Sequence, residues 1–348
     1  MSNFSLNLFF PMVYWNVYSF YIFLSLAIDL TQEPLKSKII KGIELTVNNR
    51  FSEAFDLYEG MIQDYPDHPV GYFYAGACLQ AKMLDAENYE EADKFYALMD
   101  RTLRIADSLK SVNEADVWVF FYAGFAFLYR SFMNSKEGRW FPAYRDAVRG
   151  VNRLEYVIEK DSTVYDALLG IGSFKYWKSV RAKYLLWLPI IKDEKAMGIS
   201  LIKKAIKNGI FVHLIAKDQL CWILMDNGQT ENAFSIAWDN YQNFPQSRFL
   251  RWTLVEITSR LGKLELAKKL YQDLLVEIRQ LPENNHVNEL ECLVRLAEIE
   301  AHKNRWNLTY QYSDEALKLK IDPDIRQRVK AKLKRALELR NFATKFNR

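Results

Sequence analysis

From about residue 35 onward, apolar side chains recur at three- and four-residue spacing, as in Leu264, Ala267, Leu270, Tyr271 and Leu274. That period puts them on one face of an α-helix. Short polar breaks separate the periodic stretches: Asn48-Asn49, Asp226-Asn227-Gly228 and Leu261-Gly262-Lys263 each carry turn chemistry between two helical runs. Few runs alternate with the two-residue period of a strand, so the chain reads as all-α. Residues 117–132, Val-Trp-Val-Phe-Phe-Tyr-Ala-Gly-Phe-Ala-Phe-Leu-Tyr-Arg-Ser-Phe, are apolar nearly all round and predict a central helix. Residues 8–28 are also almost wholly apolar, but they lie outside the periodic region.

The helical runs pair into units that repeat every ~34 residues. In the clearest copy Gly42 is followed by Ala54, Tyr58 and Pro66, at positions 8, 20, 24 and 32 if the unit begins at Leu35. Later copies keep parts of this register. They are Gly76, Ala92, Tyr96 and Met99; Gly124, Ala147 and Leu154; the modified copy opening at Tyr165 with Gly170; Cys221, Ala233, Ala237 and Pro245; Ala267, Tyr271, Leu274 and Pro282; and Ala297, Ala316 and Pro323. The spacing has a physical reason. Antiparallel helices approach closely only where small side chains meet. A large side chain one turn away fills the space beside the contact. Proline lacks an amide donor and closes the unit. Residues are added between the helices of the second copy (82–88) and the third (134–141).

This register resembles the tetratricopeptide repeat (TPR). The resemblance implies a right-handed α-solenoid of helix-turn-helix units with a concave face lined by the first helix of each unit. The expected organisation is an apolar segment over residues 1–34, about seven units over 35–323, and a basic capping helix over 324–348, running as one helix from Pro323 to Phe346. In this family the concave groove holds a protein or peptide partner. Lys38, Tyr72 and Lys217 are the groove candidates the register suggests. The family's repeated Lys, Asn and Arg carboxylate clamp is not reproduced. A second resemblance covers roughly 40 residues around Pro189. Leu-Leu-Trp-Leu-Pro189, Asp193, Gly198 and Leu201-Ile-Lys-Lys-Ala-Ile206 are similar to a stretch of the Iml2/TTC39-type repeat proteins, and imply an outer-membrane-associated or lipid-related adaptor.

Two further features bear on function. Residues 8–28 are long enough to cross a membrane, and Ser25-Leu26-Ala27 offers small residues for cleavage before Ile28. No Lys or Arg precedes Lys36, so the usual basic start of an export signal is missing. The segment is an export signal, an uncleaved anchor or a helix capping the solenoid. The protein is then exported, periplasmic or membrane-anchored, with a cytoplasmic location as the alternative. The second feature is the interleaving of basic and aromatic residues. Arg130, Lys136, Arg139 and Arg145 flank Trp140, Phe141 and Tyr144, and Lys175, Lys178, Arg181 and Lys183 alternate with aromatics before Pro189. Such mixtures suit a membrane interface, an acidic partner or an anionic ligand. The alternative function is therefore a receptor for a small or lipidic ligand, accessory to a transport system, with a pocket near Trp118, Phe125, Trp177 and Trp187.

Composition adds little to this picture. Of 348 residues, 15% are aromatic, which suits inter-helix packing. Residues 323–348 carry nine Lys and Arg against Asp324 and Glu338, and nine minus two gives +7 where the whole chain is +4. A terminal cap needs a polar outer face, and Leu333, Ala336, Leu337 and Leu339 supply its apolar side. Phe342 and Phe346 alone do not make a stacking platform, so nucleic acid is disfavoured as a partner. The chain has no phosphate loop, no His-Glu-x-x-His and no Cys-x-x-Cys, and Cys78, Cys221 and Cys292 share no motif spacing. No cofactor, metal or catalytic role is implied. The lone Gly170-Ile-Gly172 reads as close helix packing, and His286, Glu289 and Glu291 as a polar helix start. The export reading predicts a mature chain that begins at Ile28 and is free in the export fraction, as determined by N-terminal sequencing. An intact Met1 in the cytosol would sink it.

Overall fold

A computed structural model of the protein describes residues 30–110, 116–182, 192–282 and 284–346. Among them there are helices and turns and no strand. Seven antiparallel hairpins follow one another: α1 (Leu35–Val47) with α2 (Phe51–Asp64), α3 (Pro69–Ala86) with α4 (Ala92–Lys110), α5 (Val117–Lys136) with α6 (Trp140–Lys160), α7 (Ala167–Arg181) with α8 (Lys195–Asn208), α9 (His213–Asp226) with α10 (Thr230–Asn243), α11 (Arg248–Arg260) with α12 (Leu264–Arg279), and α13 (Val287–His302) with α14 (Trp306–Lys318). Two further helices, α15 (Pro323–Arg328) and α16 (Lys330–Thr344), close the C-terminal end. The chain is an all-α solenoid of TPR-like hairpins.

Small residues set the hairpin crossings, most of them at the positions that the repeat register predicts; in the fourth hairpin the crossing falls at Gly172 and Gly198, while Gly170 packs on Leu154 and Leu128 of the third. A Cβ on Gly42 would stand 2.5 Å from the Tyr58 ring, so the ring lies directly on the glycine. A Cβ on Gly124 would meet Leu154 at 2.6 Å. In the fourth hairpin the helices touch backbone to backbone, and a Cβ on Gly172 would lie 2.7 Å from the carbonyl oxygen of Gly198. Cys221 fills the slot in the fifth, with its thiol 3.5 Å from the Ala233 carbonyl oxygen. These crossings bury Ala54, Tyr58, Met99, Leu154, Ile202, Ala233, Ala237, Ala267 and Leu274 in one continuous core. Successive first helices also pack on one another, α1 on α3, α3 on α5, α5 on α7, α7 on α9 and α9 on α11. The first helices therefore form the inner wall.

The added residues of the second and third units lengthen helices rather than loops. α1 ends five residues past Gly42, α3 ten past Gly76 and α5 twelve past Gly124. The extended end of α3 forms a seam with the far end of the solenoid. Arg248 of α11 grips Asp85 through Nε and Nη2, at 3.0 and 2.5 Å, with both side chains largely buried. Asn288 of α13 donates to the Asp85 carbonyl at 2.7 Å, and Asn285 to the Glu87 carbonyl at 3.0 Å. Arg328 of α15 also donates to the Glu87 carbonyl, at 2.8 Å, and covers the Tyr89 ring. Nearby, Asn49 of the first turn donates to the Gln246 carbonyl at 2.7 Å. The first-to-second turns of units one and two thus meet the opposite edge of units six and seven. The solenoid has completed one turn and hydrogen-bonds to itself.

The C-terminal cap differs from its expected form. It is not one helix, because Val329 leaves helical geometry and turns inward, only 3% exposed. The break lets the first turn dock on the α3–α4 connection through Arg328. The cations of α16 are not all solvated either: Lys332 pairs with Glu291, Arg335 with Glu298 and Arg340 with Asp314. Ala336, Leu339 and Ala343 face the last hairpin, whereas Leu337 points outward.

The glycine crossings give a paired prediction. Gly172→Ala forces a methyl against fixed backbone and should cost about 1–3 kcal/mol. Gly60, in mid-α2, has nothing within 4 Å of an added Cβ, so Gly60→Ala should gain roughly 0.5–1 kcal/mol from reduced chain entropy. Urea denaturation of the two variants reads both signs.

Candidate functional site

Lys38, Tyr72 and Lys217 occupy equivalent places on their first helices, and each is tied to the second helix of its own hairpin. Lys38 Nζ lies 2.8 Å from Asp64 on α2, and that carboxylate holds the ammonium above its ordinary pKa. Lys217 Nζ lies 2.8 Å from Asp239 on α10. The Arg101 guanidinium of α4 covers the Tyr72 ring at 5.5 Å.

Of the predicted aromatic pocket, Trp118 and Phe125 both pack on Phe121. Trp118 packs edge-on against Phe121 and Phe211, with ring centres 5.0 and 5.5 Å away. Phe125 is buried against Phe73 and Phe121. Trp177 is half-buried beside Tyr176, whose hydroxyl donates to Asp226 Oδ2 at 2.7 Å. Trp187, the 185–189 stretch of the second resemblance, and the apolar segment before residue 30 lie outside the described residues.

A cleft does open on the opposite face of α5. It has a volume of ≈ 640 Å³, lies between α4 and α6, and is lined by Asp107, Phe120, Phe127, Arg149, Asn152, Arg153 and Tyr156. Arg149 sits over the Phe127 ring at 6.0 Å and Arg153 over Phe120 at 5.9 Å. Arg153 also meets Asp107 at 3.2 Å.

On the inner wall, two aromatic side chains that the sequence reading passed over stand half exposed. They are Trp222 of α9, 37% exposed, and Phe249 of α11, 41% exposed. The adjacent Cys221 in the small-residue slot could have marked Trp222. A buried polar chain fixes the indole. Trp222 Nε1 donates to Thr253 Oγ1 at 3.2 Å, and that hydroxyl donates to Asp218 Oδ1 at 2.6 Å. Burial pushes the Asp218 carboxyl up to about 7, against the two hydrogen bonds that favour its charged form. Asp166 is the other buried acid of this kind. Burial raises its pKa, and the amides of Ile210, Phe211 and Val212 oppose the rise at 2.8, 2.6 and 3.0 Å. It locks the connection between α8 and α9.

The remaining chemistry is structural. Cys78, Cys221 and Cys292 are free and buried, and burial raises each thiol, Cys78 to about 11. Thiols so placed are poor nucleophiles. His286 caps α13 and contacts Glu289 at 2.8 Å, while Glu289 also holds Arg279. Among the described residues no group of three or more His, Cys, Asp or Glu is placed to hold a metal ion. None of the described helices is long and apolar enough to cross a membrane.

No family model matches the chain, and no curated protein matches it. Solved structures do. PilW, a widely conserved type IV pilus biogenesis factor, is 14% identical with a TM-score of 0.42, over 70% of this chain and 91% of that one. The C-terminal part of a TPR repeat-containing protein from Cytophaga hutchinsonii is 15% identical with a TM-score of 0.43, over 81% and 95%. Human IFIT1, solved as a dimer with m7Gppp-AAAA, is 14% identical with a TM-score of 0.43, over 88% and 61%. The TPR-like architecture of this chain rests on its own seven hairpins and their glycine crossings.

Asp218 gives a pH prediction. Its folded pKa is raised above the unfolded value, so its stabilisation is present near pH 4 and is lost as pH rises through about 7. Asp218→Asn should remove from the wild-type profile a decline on the order of 1–4 kcal/mol between pH 4 and 8. Thermal melts across that range, wild type against variant, measure the difference.

Proposed function

We propose that the protein is a non-enzymatic scaffold that holds a protein or peptide partner against its inner wall, and that residues 1–34 export it or anchor it at a membrane. The observation that carries this reading is the exposure of Trp222 and Phe249 on neighbouring first helices, within a solenoid whose seam fixes the spacing of those helices. Aromatic side chains in such places are the usual energetic anchors of an interface. The Trp222–Thr253–Asp218 chain holds the indole in one orientation, which lowers the ordering cost of binding. A ligand-receptor function is the second reading. It finds its support in the α4–α6 cleft, where two guanidiniums lie over aromatic rings.

A photo-crosslinking amino acid at Phe249 should capture one discrete protein in the native host. The same group at Val276, exposed on the second helix α12, should not. Trp222→Ala should weaken that capture about tenfold or more, as expected for an anchor worth at least ~1.4 kcal/mol. Equal capture at both positions, or none at Phe249, would exclude the inner wall as the binding face.

A further inference from the structure

The turn of the lengthened third hairpin is tied to unit two, with Lys136 on Glu87 and Arg139 on the Tyr96 hydroxyl, but the aromatic side chains beside it stay exposed. Phe132 near the end of α5 is 46% exposed, and Trp140, Phe141 and Tyr144 in the first turns of α6 are 65%, 77% and 60% exposed. Four large aromatic side chains at one corner form an apolar patch of the kind that marks an interaction site. We infer that this hairpin tip is a docking wedge for an anionic phospholipid surface.

Three observations favour lipid over another protein. The first is reach. α5 runs twelve residues beyond its crossing glycine, where α3 runs ten and α1 five, so at ~1.5 Å per residue its tip projects furthest of the three, by about 3 Å over α3 and about 10 Å over α1. An interfacial element sinks its apolar groups ~5–10 Å into the headgroup boundary, and the exposed Trp140 and Phe141 rings stand on the furthest-projecting tip. The second is charge. Residues 130–149 carry Arg130, Lys136, Arg139, Arg145 and Arg149 against Glu137 and Asp146, and five minus two gives +3; Arg130 and Lys136 also pair with Asp100 and Glu87, so the remaining excess lies on α6 at Arg145 and Arg149. Asp146 is fully buried, and Arg149 makes no ion pair among the described residues; its partner is the Phe127 ring. Aromatic tips above a basic collar are what an anionic interface accepts.

The third is contrast with the seam. Where the solenoid packs edge to edge on itself, the turns of units one and two use Asn49, Asp85 and the Glu87 carbonyl, which are polar partners for Asn and Arg. The turn of unit three lies on the same edge, but it presents Trp, Phe and Tyr. That chemistry suits a boundary between water and hydrocarbon and not another hydrogen-bonded edge.

The test uses the full chain with Phe141→Cys carrying an environment-sensitive NBD dye, which is selective because the three native cysteines are buried. A second variant, Val276→Cys, carries the dye on α12. Vesicles of phosphatidylcholine, with or without an equal part of phosphatidylglycerol, are added, some bearing doxyl-labelled lipid. The proposal expects the dye at residue 141 to shift blue and be quenched by doxyl lipid on the anionic vesicles, with the dye at 276 unchanged. Trp140→Ala with Tyr144→Ala should raise the lipid concentration needed for half the shift about tenfold. The proposal is overturned if the chain floats with vesicles while the dye at 141 stays in water, as attachment through residues 8–28 alone would give. Equal response to neutral vesicles, or protection of the dye by a soluble protein and not by lipid, also overturns it.

Discussion

Everything in this molecule depends on how closely two helices can approach within a hairpin. Gly42 under the Tyr58 ring, Gly124 under Leu154, and Gly172 against the Gly198 carbonyl are positions where a single methyl group would push the helices apart. Close crossing lets the large residues beside the glycines fill the core, as the buried Tyr58, Leu154 and Tyr176 do. It also sets the angle that each hairpin hands to the next. With the first helices in mutual contact along the inner wall, that angle accumulates into a curve. After about six units the curve has returned to its starting edge, and Arg248 reaches Asp85 across 163 residues of sequence. The seam follows from the crossings, since a small change in each hairpin would carry the two edges past each other.

The seam in turn explains what the insertions accomplish. A loop insertion would have put flexible chain at the edge. Extension of α3 instead presents Asp85 and Glu87 on a rigid helix end, with Glu87 itself in the left-handed region at φ 50. Its carbonyl is thereby offered to both Asn285 and Arg328. Breaking a buried Arg–carboxylate pair is costly because it leaves one charge unpaired, so the Asp85–Arg248 contact resists opening. The longer extension of α5 ends beside the same Tyr89 ring that the cap covers, with Lys136 and Arg328 both over it, and leaves Trp140, Phe141 and Tyr144 exposed. The same device, a lengthened hairpin, therefore yields a closed edge in unit two and an exposed one in unit three.

Much of this was legible in the sequence, and the part that was not has a physical cause. Glycine, alanine and proline spacing reports local contacts within a hairpin, so the seven units, the central helix over 117–132 and the close packing at Gly170-Ile-Gly172 could be read directly. Contacts made by superhelical closure join residues with no sequence relation, and no periodicity encodes Asn49 meeting Gln246. Lys38, Tyr72 and Lys217 were legible as equivalent positions but not as to direction, because the acid or arginine that claims each one lies on the second helix. The break at Val329 was hidden for a related reason: Pro323 to Phe346 is a good helix by propensity, and a distant docking contact interrupts it.

The Asp218–Thr253–Trp222 chain shows how stability and surface are linked here. A buried carboxyl is an expensive way to hold two helices together, and an apolar pair of the same size would serve the core at lower cost. An apolar pair would also leave the indole N–H without its acceptor and free the ring to rotate. The hydrogen-bonded chain spends core stability on the orientation of one half-exposed side chain on the inner wall. The exposed edge of that ring is therefore presented in one fixed orientation.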